Sequence, residues 1–323
     1  MPINIPDGLP AKTILQQERI FALEEEVASH QRIRPLRLAI LNLMPTKIET
    51  ETQILRLISK SPLQVSCDFM RVSSHESKNT SADHLVKFYD TFEAYHDQNY
   101  DGLIVTGAPV EHLPFEEVDY WDELCTIMDW SRKHVFSTMF LCWGAMAGLY
   151  HYYGIPKRQL PAKLFGVFPQ RLCDEYSFLT NGFDEMHNMP HSRHAMLDAS
   201  ELAKHPELKV LSEGFSSGPA LIATEDFHEI YVTGHFEYGR DTLADEYWRD
   251  FHKGLPIRLP ENYFPDDNPE NQPIFTWRSH ANLLYRNWLN WVYQMTPYKL
   301  DEIPEAIEQM SHDAWALADK FER

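Results

Sequence analysis

One cysteine stands at the point where a buried strand turns into a helix. Residues 135–141 (VFSTMFL) have the character of a buried strand, and Cys142 follows at once, before Trp143 and Gly144. Such a turn pushes its corner residue out of the sheet, and a small residue after the corner relieves crowding. The helix dipole and its first N–H groups favour a thiolate and can hold an oxyanion. A lone cysteine is usually a core residue, but this placement predicts that Cys142 is a covalent nucleophile.

A histidine and a glutamate two residues apart follow another strand. His235 and Glu237 come after residues 229–233, and side chains at i and i+2 of an extended segment face the same way. A carboxylate beside an imidazole fixes its tautomer and supports its charged form, so the imidazole can accept a proton from a thiol. The pair alone also fits a surface strand end. Together with Cys142 it predicts a Cys–His–Glu triad.

Two further strand ends carry residues that could serve the same site, since ligands bind beyond the carboxyl ends of strands in open α/β sheets. Gly107 forms a turn that can offer backbone donors to an acyl oxygen, and Lys47 would reach the same rim. The chain has a formal charge of −19, so an anionic substrate needs local positive charge, for which Lys163 and Arg249 are further candidates. The sequence does not rank these cations, and a solvated lysine is the commoner case.

A polar cluster at residues 191–194 (HSRH) follows Pro190 and is predicted to be a loop. A zinc site needs three or four ligands, and no second cluster has suitable spacing, so we predict no metal there and polar recognition of a small substrate instead. The cysteines have no paired short spacings, which argues against a disulfide framework or a zinc ribbon. They are Cys67, Cys125, Cys142 and Cys173.

The elements that must position these residues alternate between strand and helix. Strands are predicted at 36–43, 63–72, 102–107 and 135–141, with helices between them, including an amphipathic one over 115–133. Three short strands follow at 208–212, 220–224 and 229–233, and a proline-rich loop precedes a helix over 281–291. This alternation predicts an α/β fold with a doubly wound, mostly parallel sheet.

Composition limits the function classes. Hydrophobic residues make up 43% of the 323, which is enough for a full core. No run of eighteen apolar residues and no signal-like start occurs, so a soluble cytoplasmic protein is expected. The negative charge argues against binding to nucleic acid or to an anionic membrane.

One main domain is predicted over residues 1–300, with a C-terminal helix over 301–323. Apolar residues of that helix follow a four-three spacing, with Pro304 near its start. The pattern favours a helix docked on its own domain over a dimer seam, because three heptads are short for a free coiled coil. The spaced residues are Ile303, Ile307, Met310, Ala314, Leu317 and Phe321.

Four motifs together resemble those of the homoserine O-acyltransferases of methionine biosynthesis. They are LCWG at 141–144, GHFE at 234–237, LMPTK at 43–47 and TGAP at 106–109, and the likeness runs from residue 1 to about residue 300. The resemblance implies a flavodoxin-like, class I glutamine-amidotransferase-like fold and a homodimer. It implies Cys142 as the acyl-thioester nucleophile, His235 as the proton acceptor and Glu237 as its partner. It also implies substrate contacts from Lys163, Ser192 and Arg249, with Lys47, Trp143 and Gly107 in support.

Glu111 bears on the acyl donor. In this family a glycine at that position goes with succinyl-CoA and a glutamate with acetyl-CoA, and a carboxylate would repel the terminal carboxylate of a succinyl group. The expected reaction transfers acetyl from acetyl-CoA, a co-substrate, to L-homoserine, without any cofactor, and yields O-acetyl-L-homoserine. Phe140 stands where amidotransferase relatives usually carry glycine, which argues against glutamine hydrolysis.

Three alternatives remain open on the residues alone. A succinyltransferase would prefer succinyl-CoA, a glutamine amidotransferase-type hydrolase would release ammonia from glutamine, and a redox or chaperone protein would not need His235. The acceptor is also open, because a pocket separates serine from homoserine by only about 1–3 kcal/mol.

Overall fold

One sheet forms the centre of the structure, a computed structural model that describes residues 3–17, 22–24, 34–75 and 80–310. Within those residues the strands of the sheet are β1 (Ile3–Ile5), β2 (Ala22–Glu24), β3 (Leu36–Leu41), β4 (Val65–Arg71), β5 (Tyr89–Thr91), β6 (Tyr100–Val105), β7 (Val135–Leu141), β8 (Lys157–Leu172), β9 (Met186–Leu197), β10 (Leu208–Gly214), β11 (Gly218–Thr224) and β12 (Glu229–Val232). Their spatial order is β2-β1-β4-β3-β6-β7-β12-β11-β10-β8-β9, with β5 beside β4.

The sheet is parallel from β2 to β12 and antiparallel from β12 to β9. The carboxyl ends of β7 and β12 are level, because Leu141 pairs with Val232. Residues that follow these two strands therefore start from the same edge of the sheet. The predicted mostly parallel α/β architecture is confirmed.

Helices cover both faces of the sheet: α1 (Ala11–Gln17), α2 (Lys47–Ile58), α3 (Ala82–Phe88), α4 (Trp121–His134), α5 (Trp143–Tyr153), α6 (Ala199–Leu202), α7 (Thr242–His252) and α8 (Arg278–Met295). Neighbouring residues of one strand enter different cores. Ile104 of β6 shares a core with Trp288 of α8. Leu103, beside it, shares the opposite core with Met128 of α4. Strands buried on both faces read as continuous apolar runs, which made them predictable.

The prediction of a loop at residues 191–194 was wrong, because these residues lie inside β9. Strands β8 and β9 form a long antiparallel hairpin. Proline cannot donate a ladder hydrogen bond, yet Pro190 lies within β9 opposite Val167. Its carbonyl oxygen accepts a hydrogen bond of 2.9 Å from the backbone N–H of His235. The hairpin is thereby tied to the segment that follows β12.

The remaining differences concern helix ends. The helix predicted over 115–133 begins at Trp121, because Phe115–Glu117 forms a separate 3₁₀ turn. Residues 303–310 are helical, and Ile303 and Met310 are buried against Phe136 of β7, so this part packs on its own domain. Residues 311–323, and with them the end of the predicted C-terminal helix, lie outside the described residues. No helix in the described ranges is long and apolar enough to cross a membrane.

Candidate active site

Cys142 forms a strained corner between β7 and α5. Its backbone has φ 48° and ψ −113°, a conformation that few residues other than glycine adopt. The N–H of Cys142 donates to the carbonyl of Val232 at 2.7 Å, and its own carbonyl accepts from the N–H of Met146 at 3.2 Å. The side chain is only 3% exposed. This is the geometry of a nucleophile elbow, as predicted.

Two glycines let the end of β6 approach the elbow closely. A Cβ on Gly144 would lie 2.6 Å from the carbonyl oxygen of Thr106, and a Cβ on Gly107 would lie 3.2 Å from the Cβ of Cys142. A Cβ on Gly107 would also come within 3.7 Å of the backbone nitrogen of Trp143. The indole of Trp143 is fully buried in the core beside α4. The backbone of residue 143, rather than its ring, is therefore the part that borders the corner.

His235 and Glu237 meet in a turn and not in the extended segment predicted. The N–H of Tyr238 donates to the carbonyl of His235 at 3.2 Å, which closes the turn. Nδ1 of His235 lies 2.6 Å from Oε1 of Glu237, and both side chains are buried. The His235 ring also stacks on Tyr238, with centroids 4.0 Å apart and planes within 10°. The ring is thus held in one orientation from two sides.

The electrostatics of His235 link it to the elbow. Burial lowers its pKa, but the charges of Cys142 and Glu237 and hydrogen bonds to both side chains raise it well above its ordinary value of 6.5. The same charges and hydrogen bonds link the imidazole to Cys142 as well as to Glu237. The structure brings together the three residues predicted as a triad.

A second cluster gathers around Glu246 of α7, a residue that sequence reasoning missed. Lys163 Nζ lies 2.5 Å from Glu246 Oε1, and the Ser192 hydroxyl donates to Oε2 at 2.8 Å. Arg249, which is 53% exposed, lies 3.6 Å from the same carboxylate and makes two hydrogen bonds to Asp250. The three predicted substrate contacts therefore share one acidic neighbour. The only signal in the sequence was the i, i+3 spacing of Glu246 and Arg249.

Tyr238, which stacks on His235, is influenced electrostatically by both groups of residues. Its pKa is raised well above the ordinary value by burial, and then by the charges of Glu246, Glu237 and Cys142. Carboxylates from both groups of residues thus act on one buried phenol.

Lys47 is not the solvated lysine that is commoner at a helix start. Its Nζ is buried and donates to the carbonyl of Asn42 at 2.5 Å and to that of Met44 at 3.4 Å. Burial lowers its pKa to about 8, although the charge of Glu51 opposes this shift. Lys47 therefore holds the loop between β3 and α2 in place.

Glu111 follows β6 in the chain, and Arg193 belongs to β9. Glu111 is 8% exposed, and its backbone carbonyl accepts a hydrogen bond from Gln159 of β8. Arg193 is buried in β9, and burial lowers its pKa to about 10 against the opposing charges of Cys142 and Glu111. A role for Arg193 was not predicted beyond its place in the polar cluster at 191–194.

Two further features complete the surroundings. A cavity of about 940 Å³ opens behind Glu237, between α2 and the start of α8, and basic residues are among its lining (Lys47, Lys60, Arg240 and Arg278). In the part of the chain that the structure describes, no group of three or more His, Cys, Asp or Glu residues could hold a metal ion.

Known structures show the same fold at low sequence identity. A glutamine amidotransferase from Thermotoga maritima aligns with 80% of this chain and 99% of its own, with a TM-score of 0.53 and 13% identity. A protein of Thermoplasma acidophilum described as a candidate GMP synthase component aligns with 81% and 96%, with a TM-score of 0.51 and 11% identity. At such identities the likeness concerns the fold alone, and it confirms the expected class I glutamine-amidotransferase-like architecture.

Curated relatives are far more similar. Proteins named homoserine O-acetyltransferase are 64% identical in Bifidobacterium adolescentis (96% of this chain, 90% of that protein) and 55% identical in Clostridium acetobutylicum (93% and 100%). The sequence model of the family described as HTS, homoserine O-succinyltransferase, matches residues 2–298. The resemblance inferred from four short motifs is confirmed over nearly the whole chain. With a nucleophile elbow, a buried His–Glu pair and this match, the chain belongs to the homoserine O-succinyltransferase (HTS) family of acyltransferases.

Proposed function

We propose that this protein transfers an acetyl group from acetyl-CoA to the hydroxyl of L-homoserine and forms O-acetyl-L-homoserine. The proposal rests mainly on the link between Cys142, at the strand-to-helix corner, and the buried His235–Glu237 pair. The chain that carries these residues is 64% identical to a protein named homoserine O-acetyltransferase. Cys142 carries the acetyl group as a thioester between two half-reactions.

In the first half-reaction the Cys142 thiolate attacks the thioester carbon of acetyl-CoA. The developing oxyanion is held by backbone N–H groups, for which Trp143 and Gly107 are well placed, because their backbones adjoin at the corner. The bond from carbon to the CoA sulfur then breaks, and His235 gives its proton to that sulfur. CoA leaves as a thiol and Cys142 is acetylated.

In the second half-reaction the homoserine hydroxyl attacks the Cys142 thioester. His235, now neutral and oriented by Glu237, accepts the hydroxyl proton as the new ester bond forms. The carbon–sulfur bond to Cys142 breaks and restores the thiolate beside the protonated ring. Glu246 is suited to the substrate's ammonium group, and Lys163 and Arg249 to its carboxylate.

Glu111 supports acetyl over succinyl as the transferred group. Glu111 is largely buried, and in such surroundings a carboxylate repels a second carboxylate strongly. In a matrix of donors and acceptors, we expect acetyl-CoA with homoserine to give the highest kcat/KM and an acetylated Cys142 by intact mass. Faster turnover with succinyl-CoA would contradict the donor assignment, and ammonia release from glutamine would favour the hydrolase alternative.

Glu246→Gln is expected to raise the KM for homoserine about 10- to 100-fold, because a charge-assisted contact to the substrate is lost. The loss should fall on the second half-reaction, measured as decay of the acetyl-enzyme when homoserine is added. Glu201→Gln is a suitable control, since Glu201 is a surface carboxylate paired with Lys204. Equal KM values for homoserine in the two variants would contradict the assignment of Glu246 to the acceptor site.

A further inference from the structure

The cavity behind Glu237 shares a wall with the catalytic residues. Phe236, Glu237 and Tyr238 all line it, so the turn that carries the His–Glu pair forms part of its wall. The ring of Tyr238 also stacks on His235, with centroids 4.0 Å apart. The volume of about 940 Å³ is at the upper end of the range for small-molecule sites. A ligand in this cavity would therefore lie beside the residues that hold the catalytic histidine.

One helix, α2, sets the direction of charge along the cavity. Glu49 and Gln53, which both line it, are joined by a hydrogen bond of 3.1 Å, and Gln53 also donates to the hydroxyl of Thr242 at 3.1 Å. Arg56 and Lys60 line the cavity from the same helix, about 10 and 16 Å further along its axis than Glu49. The cavity therefore runs from an acidic end at the start of α2 to a basic end at its close.

The acidic end of the cavity adjoins the acceptor cluster. Glu49, Asp241 and Asp245 line this end, and the N–H of Asp245 donates to the carbonyl of Asp241 at 2.8 Å. The residue after Asp245 is Glu246, which pairs with Lys163. The pKa of Glu49 is raised by burial and then by the charges of Asp245 and Glu246, in agreement with this proximity. The basic end lies further from the acceptor cluster and can receive a different part of the substrates.

Two more cations line the cavity from other elements. Arg240 follows Gly239, whose backbone is close to α2, because a Cβ on Gly239 would lie 3.7 Å from Nη1 of Arg56. Arg278 is the first residue of α8. Within residues 34–75 and 80–310, no carboxylate pairs with Lys60, Arg240 or Arg278. Their charges are therefore available to an anionic ligand.

The cavity also offers apolar surface for a planar ring. The guanidinium carbon of Arg278 lies 5.5 Å from the centroid of the Phe275 ring, and both residues line the cavity. Ile14 and Ile48, which are more than a third exposed, line it too. Nucleic-acid bases stack on aromatic rings and on arginine, and phosphates pair with arginine and lysine. Cations beside an aromatic ring in one cavity are therefore suited to a nucleotide.

We propose that the basic end of this cavity holds the phosphorylated nucleotide of the CoA donor, with its phosphates on the cations and its adenine beside Phe275. This rests on the proposed acetyl transfer from acetyl-CoA. The flexible pantetheine arm separates the nucleotide from the thioester, so the nucleotide is expected beside the triad and not at Cys142. A chain with a formal charge of −19 needs such a group of cations to bind an anionic donor. The cations are Arg56, Lys60, Arg240 and Arg278.

The test compares kcat/KM for acetyl-CoA with kcat/KM for acetyl-pantetheine, a thioester without the nucleotide, in the full-length chain. The double variant Arg240→Gln with Arg278→Gln should lower the value for acetyl-CoA about 10- to 100-fold, because charge-assisted contacts to phosphate are lost. The value for acetyl-pantetheine should stay nearly unchanged. Arg286→Gln is the matched control, since Arg286 is an exposed residue of α8, two turns after Arg278, that does not line the cavity.

The outcomes separate the inference from the proposed function. If the unaltered protein transfers acetyl to homoserine from neither donor, the proposed function itself is refuted. If it uses both donors equally well, or if the double variant slows both donors alike, only the nucleotide site is overturned.

Inhibition gives a second measurement that does not need acetyl-pantetheine. Adenosine 3′,5′-bisphosphate, the nucleotide end of CoA, should compete with acetyl-CoA, and its Ki should rise about tenfold in the double variant and stay unchanged in Arg286→Gln. An equal Ki in the double variant and the unaltered protein would contradict the site. Inhibition that is not competitive with acetyl-CoA would assign the cavity to a separate effector and overturn the inference as well.

Discussion

Replacing Cys142 by alanine is expected to lower acyl transfer on the order of 10⁴-fold or more, because the residue forms the covalent bond and no other group can take its place. The loss should be accompanied by the absence of any acyl-enzyme when the protein is mixed with acetyl-CoA alone. Intact-mass measurement detects that species, and steady-state kinetics of the unaltered protein should show the parallel lines of a ping-pong mechanism.

Cys173→Ala supplies the control, since that cysteine is exposed and distant from the elbow in sequence. It should leave both the turnover and the acetyl-enzyme intact. Near-normal turnover by Cys142→Ala would refute the thioester route. Acetylation of Cys173 instead of Cys142 would show that the nucleophile lies in a different part of the molecule.

Replacing His235 by asparagine is expected to lower kcat/KM about 10²- to 10⁴-fold, the usual contribution of a positioned acid–base group. Alkylation of Cys142 by iodoacetamide near neutral pH should also slow, because the protonated ring that favours the thiolate is gone. The pKa of His235 is raised in the folded protein, so its protonated form stabilises the fold fully below pH 6.5. That contribution is lost as pH rises through the higher folded value, and urea unfolding across this range measures it.

The chain offers a closely matched control in a second buried His–Glu pair. Nε2 of His84 in α3 lies 2.9 Å from Oε1 of Glu51 in α2. His84→Asn should reduce stability, because a buried hydrogen bond is lost, and leave the alkylation of Cys142 unchanged. If His84→Asn and His235→Asn slowed alkylation equally, the effect would be general loosening and His235 would have no special role.

The parallel half of the fold and the elbow could be predicted because their physics is local. β7 is buried along its whole length, and five of its seven residues are apolar. Its turn into α5 is marked by Gly144, where a Cβ would lie 2.6 Å from a carbonyl oxygen. The proximity of Cys142 and His235 could also be predicted, since the parallel strands that precede them end at the same edge of the sheet.

The hairpin of β8 and β9 was missed because its signals in the sequence are ambiguous. Prolines stand inside both β8 and β9, and a proline in a strand usually indicates an edge or a loop. Glu246 and Arg193 are single charged residues, and nothing in the sequence around them indicates a site. Tertiary packing brings Glu246 into contact with Ser192, and it places Arg193 where the charge of Glu111 affects its pKa. The His235–Glu237 contact was predicted correctly for a wrong reason, since a turn and not an extended segment brings the side chains together.

The bond from the His235 N–H to Pro190 has a consequence for how the two halves of the reaction can change over evolution. The same hairpin that fixes the imidazole through Pro190 also presents Ser192 to the acceptor cluster, so both share one scaffold. A substitution that tilts this hairpin would shift proton transfer and acceptor docking together. Substitutions in α7, which carries Glu246 and Arg249, are thus a simpler route to a change of acceptor substrate, because they need not move His235.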